Sequence, residues 1–122
     1  MTNTYNPKFK PGEAVTFRAS ADVTAGRLVA LTGAYTVGPA GADSAAVVGV
    51  AAASVLAGEV VTVYTRAGGV QSLVASGAIA AAAKVSSAAA GKIQTLGSTT
   101  NPIGLALQAA AADGDVIDVL FI

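Results

Sequence analysis

The 122-residue chain contains no cysteine and no histidine. Without thiols there is neither a disulfide framework nor a thiolate site, and the redox compartment is left open. Without imidazole the commonest general base, the commonest transition-metal ligand and the Ser-His type of triad are all excluded. Aromatic residues make up only 5% of the chain, and seven Lys plus Arg balance seven Asp plus Glu to a net charge of zero. A neutral chain has no long-range field to draw in a polyanion or an anionic surface, so neither nucleic acid nor membrane is expected as a partner. The longest uncharged apolar-leaning stretch, Ala45 to Gly58, falls short of the ~20 residues a bilayer span needs. The N-terminus, MTNTYNPKFKPGE, lacks the apolar segment of a secretory leader, and a soluble protein is expected.

What is abundant is small and apolar. The hydrophobic fraction is 53%, but 29 of those residues are Ala, which contributes little area per side chain. With 11% charge and a mean hydropathy of +0.64, the composition describes one domain with a thin core and an apolar surface, which favours assembly.

Residues 1–11 differ from the rest: polar, with Pro7 and Pro11, and with Tyr5 and Phe9 as the large apolar groups. The prolines remove backbone donors and favour extended geometry, so an N-terminal arm is expected, with Tyr5, Pro7, Phe9 and Pro11 as candidate contacts to a partner. A frayed tail is the alternative.

From residue 12 to 122 short apolar or alternating runs are punctuated by Gly, Ala-Gly and Asp-Gly. The spacing predicts strands at 14–18, 27–31, 35–37, 46–51, 59–66, 70–75, 84–86, 92–96, 103–108 and 115–122, the signature of an all-β sandwich or barrel. Alanine runs at 80–83, 88–90 and 109–112 favour helix by propensity, but none is long enough to nucleate one. At most a short helical turn is expected, near 78–83 or 108–112.

The stretch VVGVAAASVLAGEVVTVYT (47–65) has the layout of PIGLALQAAAADGDVIDVLFI (102–122). Gly49 and Gly104 stand 55 apart; Gly58 and Gly114, Glu59 and Asp115, and Val63 and Val119 stand 56 apart. Two tandem pseudo-repeats of about 55 residues, roughly 12–66 and 69–122, are therefore expected. They could close on each other about an internal two-fold axis, burying what each leaves exposed.

Chemistry is sparse. The acids Glu13, Glu59 and Asp115 fall at strand entries, and Asp22 and Asp43 in loops, so no carboxylate pair is assembled. Asp113-Gly114-Asp115 could begin a Ca²⁺ loop, but Val116 and Ile117 supply no further oxygen, and Asp-Gly suits a turn. Ala90-Gly91-Lys92-Ile93 fails as a phosphate loop at Ser86 and at Ile93. Lys84 with Ser86 or Ser87 reads as ordinary strand and loop polarity and not as a Ser-Lys nucleophile. No catalytic residue, cofactor or metal is expected.

The segments Pro11-Gly12-Glu13, VTAGRLV (23–29), VVGVA (47–51), AGEVVTV (57–63), IGLAL (103–107) and GDVIDV (114–119), in this order, resemble the small capsid decoration, or cement, proteins of tailed bacteriophages over residues 11–122. The resemblance implies a compact β fold, made in the host cytoplasm and located on the outer capsid surface of the virion. It implies binding to the major capsid protein of a mature head, self-association as a homotrimer, and no enzymatic activity. Family members carry Gly in the turn before the second half's strand, where this chain has Ala82-Ala83-Lys84. Two alternatives stay open: another phage structural part, such as a tail-tube or head-completion protein, and a β-barrel that binds a small ligand.

Overall fold

A computed structural model describes residues 14–66 and 69–122. Ten strands account for its regular structure: β1 (Ala14–Ala19), β2 (Leu28–Gly33), β3 (Thr36–Pro39), β4 (Val47–Ala51), β5 (Val60–Thr65), β6 (Val70–Val74), β7 (Lys84–Ser87), β8 (Ile93–Thr95), β9 (Gly104–Ala106) and β10 (Val116–Phe121). The chain is all-β, and every one of the ten expected strands is present.

Period-two alternation marks β5 and β10, whereas β2, β4 and β7 carry continuous buried runs. Along β5, Val61 and Val63 are buried while Val60, Thr62 and Tyr64 are exposed; along β10, Ile117, Val119 and Phe121 are buried while Val116 and Leu120 are exposed. The first five strands close a barrel in the order β1-β3-β2-β4-β5, and the second five form a sheet in the order β6-β10-β9-β7-β8. The barrel closes through a short parallel contact, Arg18↔Thr36 and Ala19↔Val37. In the second sheet the corresponding contact is a lone parallel bridge, Ala75↔Ile93.

The pairings recur at an offset of 55 or 56 residues. Leu28↔Val50 is answered by Lys84↔Leu105, Val50↔Tyr64 by Leu105↔Leu120, and the bridge Val23↔Val55 by Ile79↔Ala110. Gly26, at φ +77°, and Ala82, at φ +70°, occupy like places in like turns. Those turns close by Arg27 N–H to Thr24 O and Ala83 N–H to Ala80 O, both at 3.2 Å.

The two sheets do not meet about a two-fold axis. One core fills the barrel (Val23, Val29, Val37, Val61, Val63). The other covers one face of the second sheet (Leu73, Val85, Ile93, Ile117, Val119) and takes in Leu28, Ala30, Val47 and Val50 from the outer face of β2 and β4. A two-fold contact would bury both copies of that face alike. Instead Lys84 and Leu105, at the places of Leu28 and Val50, are exposed and half-buried. The reason is visible in the sequence: Lys84 carries a charge where Leu28 offers apolar area, so one copy of the face can be desolvated cheaply and the other cannot.

The junction is closed by polar contacts. Ser87 Oγ donates to Gly41 O (2.7 Å) and accepts from Ser44 N–H (2.8 Å), while Arg66 donates to Pro102 O and Ile122 O, both at 3.1 Å. Gly91 sits so tightly that a Cβ there would lie 2.6 Å from Leu28 O.

The helical turn falls elsewhere than expected: a short 3-10 turn occupies Ala89–Gly91. Residues 78–83 and 108–112 are held instead by reciprocal bonds between Ile79 and Ala110 (2.9 and 2.8 Å), a tertiary contact that overrides alanine propensity.

Candidate docking surfaces

The polar side chains that could carry chemistry are committed to structure. Asp115 Oδ2 accepts the N–H groups of Ala111 (2.8 Å) and Ala112 (3.2 Å), closing its own turn, and Asp113 pairs with Lys92 Nζ at 2.9 Å. Glu59 does the same for Leu56 N–H (2.7 Å). Ser86 and Ser87 are fully buried, Ser86 sharing a 2.9 Å hydrogen bond with Thr99, while Lys84 points to solvent. Among the described residues no three His, Cys, Asp or Glu side chains cluster to hold a metal.

Inside the barrel the described side chains leave no room for a ligand. Val29, Val37 and Val63 fill the barrel at 0% exposure. A crevice of about 110 Å³ lies where Arg27, Leu28 and Val29 face Ala90, well below the ~300–1,000 Å³ of small-molecule sites.

What the molecule offers is surface. The first candidate is a sheet face. Leu120, outward on β10, pairs with Val70 on β6 and Leu105 on β9, so the three side chains form one row. Val70 is 51% exposed and Leu120 37%; Lys84 on β7 stands beyond Leu105 at the end of the row, and exposed Leu107 lies one row below, beside Asp118. Lower on the same face Asp118 accepts from Ser72 Oγ (3.0 Å), and below that pair Val116, 61% exposed, stands opposite Val74. An apolar face of this kind marks an interaction site.

The second candidate is an open groove of about 280 Å³ beside β1, lined by Thr16, Phe17, Arg18, Tyr35 and Val60 among others. The Phe17 and Tyr35 rings lie 5.9 Å apart, tilted by 35°. Tyr35 holds φ +48°, a conformation uncommon for a non-glycine residue.

The candidate contact residues Tyr5, Pro7, Phe9 and Pro11 lie outside the described residues. Sequence reading passed over both surfaces, although one carried a signal. In β10 and β6 the outward positions Val116, Leu120 and Val70 are apolar where polar residues would complete a solvent-facing alternation.

Compared with known proteins, residues 9–121 match the family model described as phage cement protein. The chain belongs to the phage cement protein family. None of the curated proteins matches it. Among solved structures it is similar to the head fiber gp8.5 N base of bacteriophage phi29, with 20% identity and a TM-score of 0.71, over 90% of this chain and 93% of that one. At that identity the likeness concerns the fold. The family assignment makes this cement protein a capsid-associated structural component of a phage virion.

Proposed function

We propose that this cement protein binds the outer surface of a mature phage capsid and stabilises it, without enzymatic activity, as a homotrimer seated on the major capsid protein. The chain is made in the host cytoplasm and acts on the assembled head. It is built as an arm, residues 1–11, and one β domain, residues 12–122, whose halves are tandem pseudo-repeats. The arm residues Tyr5, Pro7, Phe9 and Pro11 contact a neighbouring copy or the shell.

The observation that carries this reading is the apolar row Val70–Leu120–Leu105, on a chain whose Glu59, Asp115 and Ser87 side chains are spent on turns and the junction. A protein that binds the assembled shell and not the free subunit stabilises the shell by mass action. Symmetry within an oligomer and repetition over a lattice multiply modest contacts into a firm hold.

The test is to incubate purified protein with undecorated mature heads and image them. Added density on the shell, absent from free capsid subunits, is the expected result. A bare shell overturns the reading and favours another phage part such as a tail-tube or head-completion protein.

A further inference from the structure

We propose that the groove beside β1 seats residues 5–9 (Tyr5-Asn6-Pro7-Lys8-Phe9) of a second copy of this chain, added as a strand along the open edge of β1. The proposal rests on the homo-oligomeric reading above and assigns it a surface.

β1 pairs with β5 over Ala14 to Arg18, but with β3 only at Arg18 and Ala19. Arg18 and Ser20 donate their N–H groups to Tyr35 O and Val37 O, both at 2.8 Å. Backbone alternation therefore turns the amides of Thr16 and Ala14 to the same side, where no described strand stands. An unpaired edge is a template for an incoming strand, with side pockets supplying selectivity. The groove lined by Phe17, Tyr35 and Val60 adjoins this edge. It is open and somewhat smaller than small-molecule sites, which suits the side chains of a peptide.

The segment fits in composition and in parity. Tyr5, Pro7 and Phe9 alternate with Asn6 and Lys8, so an extended chain places the three apolar side chains on one side. Proline has no N–H to give and is tolerated in an edge strand when its nitrogen faces away from the partner. With Pro7 turned away, the amides of Asn6 and Lys8 face β1.

The chain's own segment is the poorer occupant. A two-residue hairpin at Pro11-Gly12 needs positive φ at its first position, which proline forbids. It would also set Pro7 opposite Thr16, on the hydrogen-bonding side. A three-residue loop, Lys10-Pro11-Gly12, puts proline at the third position of a type I turn, where it is disfavoured. A segment arriving from another copy meets neither obstacle, and donation from each copy to the next is a head-to-tail contact, which forms a ring where the rotation between copies closes.

Because the native chain has no cysteine, introduced thiols report cleanly. Full-length Lys8→Cys and Thr16→Cys proteins are mixed and oxidised; a disulfide-linked dimer containing one of each is expected, and none with Ser98→Cys in place of Thr16→Cys. Joint Tyr5→Ser and Phe9→Ser substitution is expected to weaken self-association at least tenfold, read by light scattering, with unchanged thermal unfolding at matched protomer concentrations too low for association. A Lys8→Cys, Thr16→Cys double variant that closes within one chain overturns the proposal in favour of the chain's own segment. Oligomers without the cross-link overturn the groove assignment but leave the homo-oligomer standing, whereas a monomer at every concentration overturns both.

Discussion

Asp43 and Asn101 hold the two sheets together by three hydrogen bonds: Asp43 Oδ1 accepts from Asn101 N–H at 2.9 Å and from Nδ2 at 3.1 Å, and Asp43 O accepts from Nδ2 at 3.1 Å. Thr100 N–H adds contacts of 3.2 Å to both carboxylate oxygens. Desolvation pushes the Asp43 carboxyl up, but the backbone N–H groups of Asn101 and Thr100 and then their side chains outweigh it, holding the group below its ordinary value of 3.8. A carboxyl depressed in the folded state stabilises above its unfolded value, and that contribution is lost as pH falls through the folded value. The urea midpoint is therefore expected to drop as pH falls from near 3.8 through the lower folded-state value, and Asp43→Asn to flatten the drop. An unchanged acid profile in the variant would remove Asp43 from the junction's energetics.

Gly49 faces the Tyr64 carbonyl so closely that a Cβ would overlap it. The backbone there cannot yield without opening the β4–β5 pairing, so Gly49→Ala is expected to cost about 3 kcal/mol or more, at the upper end of overpacking. Gly104, against Val119 and Leu120 O (2.5 and 2.8 Å), should behave alike. Gly77→Ala, where a Cβ meets nothing within 4 Å, should stay within about 0.5 kcal/mol of wild type. Denaturant titration of the three variants checks the order.

Strands such as β5 and β10 were legible in the sequence because Gly58-Glu59 and Gly114-Asp115 precede them and because they alternate, as Val61 and Val63 do against Thr62 and Tyr64. The recurrence of Gly49 and Gly58 as Gly104 and Gly114 suggested two like halves but left their strand order open, since two sheets and one intertwined barrel were equally compatible with it. The junction was not legible. It depends on Leu28 being apolar where Lys84 is charged, and on Ser87 reaching Gly41 across the chain, and no local pattern reports such a meeting. The helical turn was misplaced because alanine propensity at 78–83 says nothing of the Ile79–Ala110 bridge. The apolar row was missed since outward positions show themselves only once inward ones are known.

Ala82 holds φ +70° in the turn where Gly26 holds +77°. A left-handed backbone costs an L-residue roughly 1 kcal/mol that glycine does not pay. Ala82→Gly is therefore expected to stabilise by about 0.5–1 kcal/mol, and Gly26→Ala to destabilise by a similar amount, both read as shifts in thermal unfolding. A destabilised Ala82→Gly protein would mean that the methyl group packs more usefully than its backbone costs.

The row Val70–Leu120–Leu105 yields the last expectation. Leu120 is outward and pairs with strands on both sides, so charging this position leaves the buried Val119 and Phe121 in place. Leu120→Asp should change folding stability by under about 1 kcal/mol, as exposed substitutions do. If the row meets the shell, an unpaired carboxylate there would be desolvated on binding, and occupancy on undecorated heads should fall at least tenfold. Ser72→Asp would set a second acid opposite Asp118, still in solvent, and serves as a charge control on the same face. Equal loss of binding in both variants would make the effect one of charge over the whole sheet, and full binding by Leu120→Asp would move the shell-facing surface elsewhere.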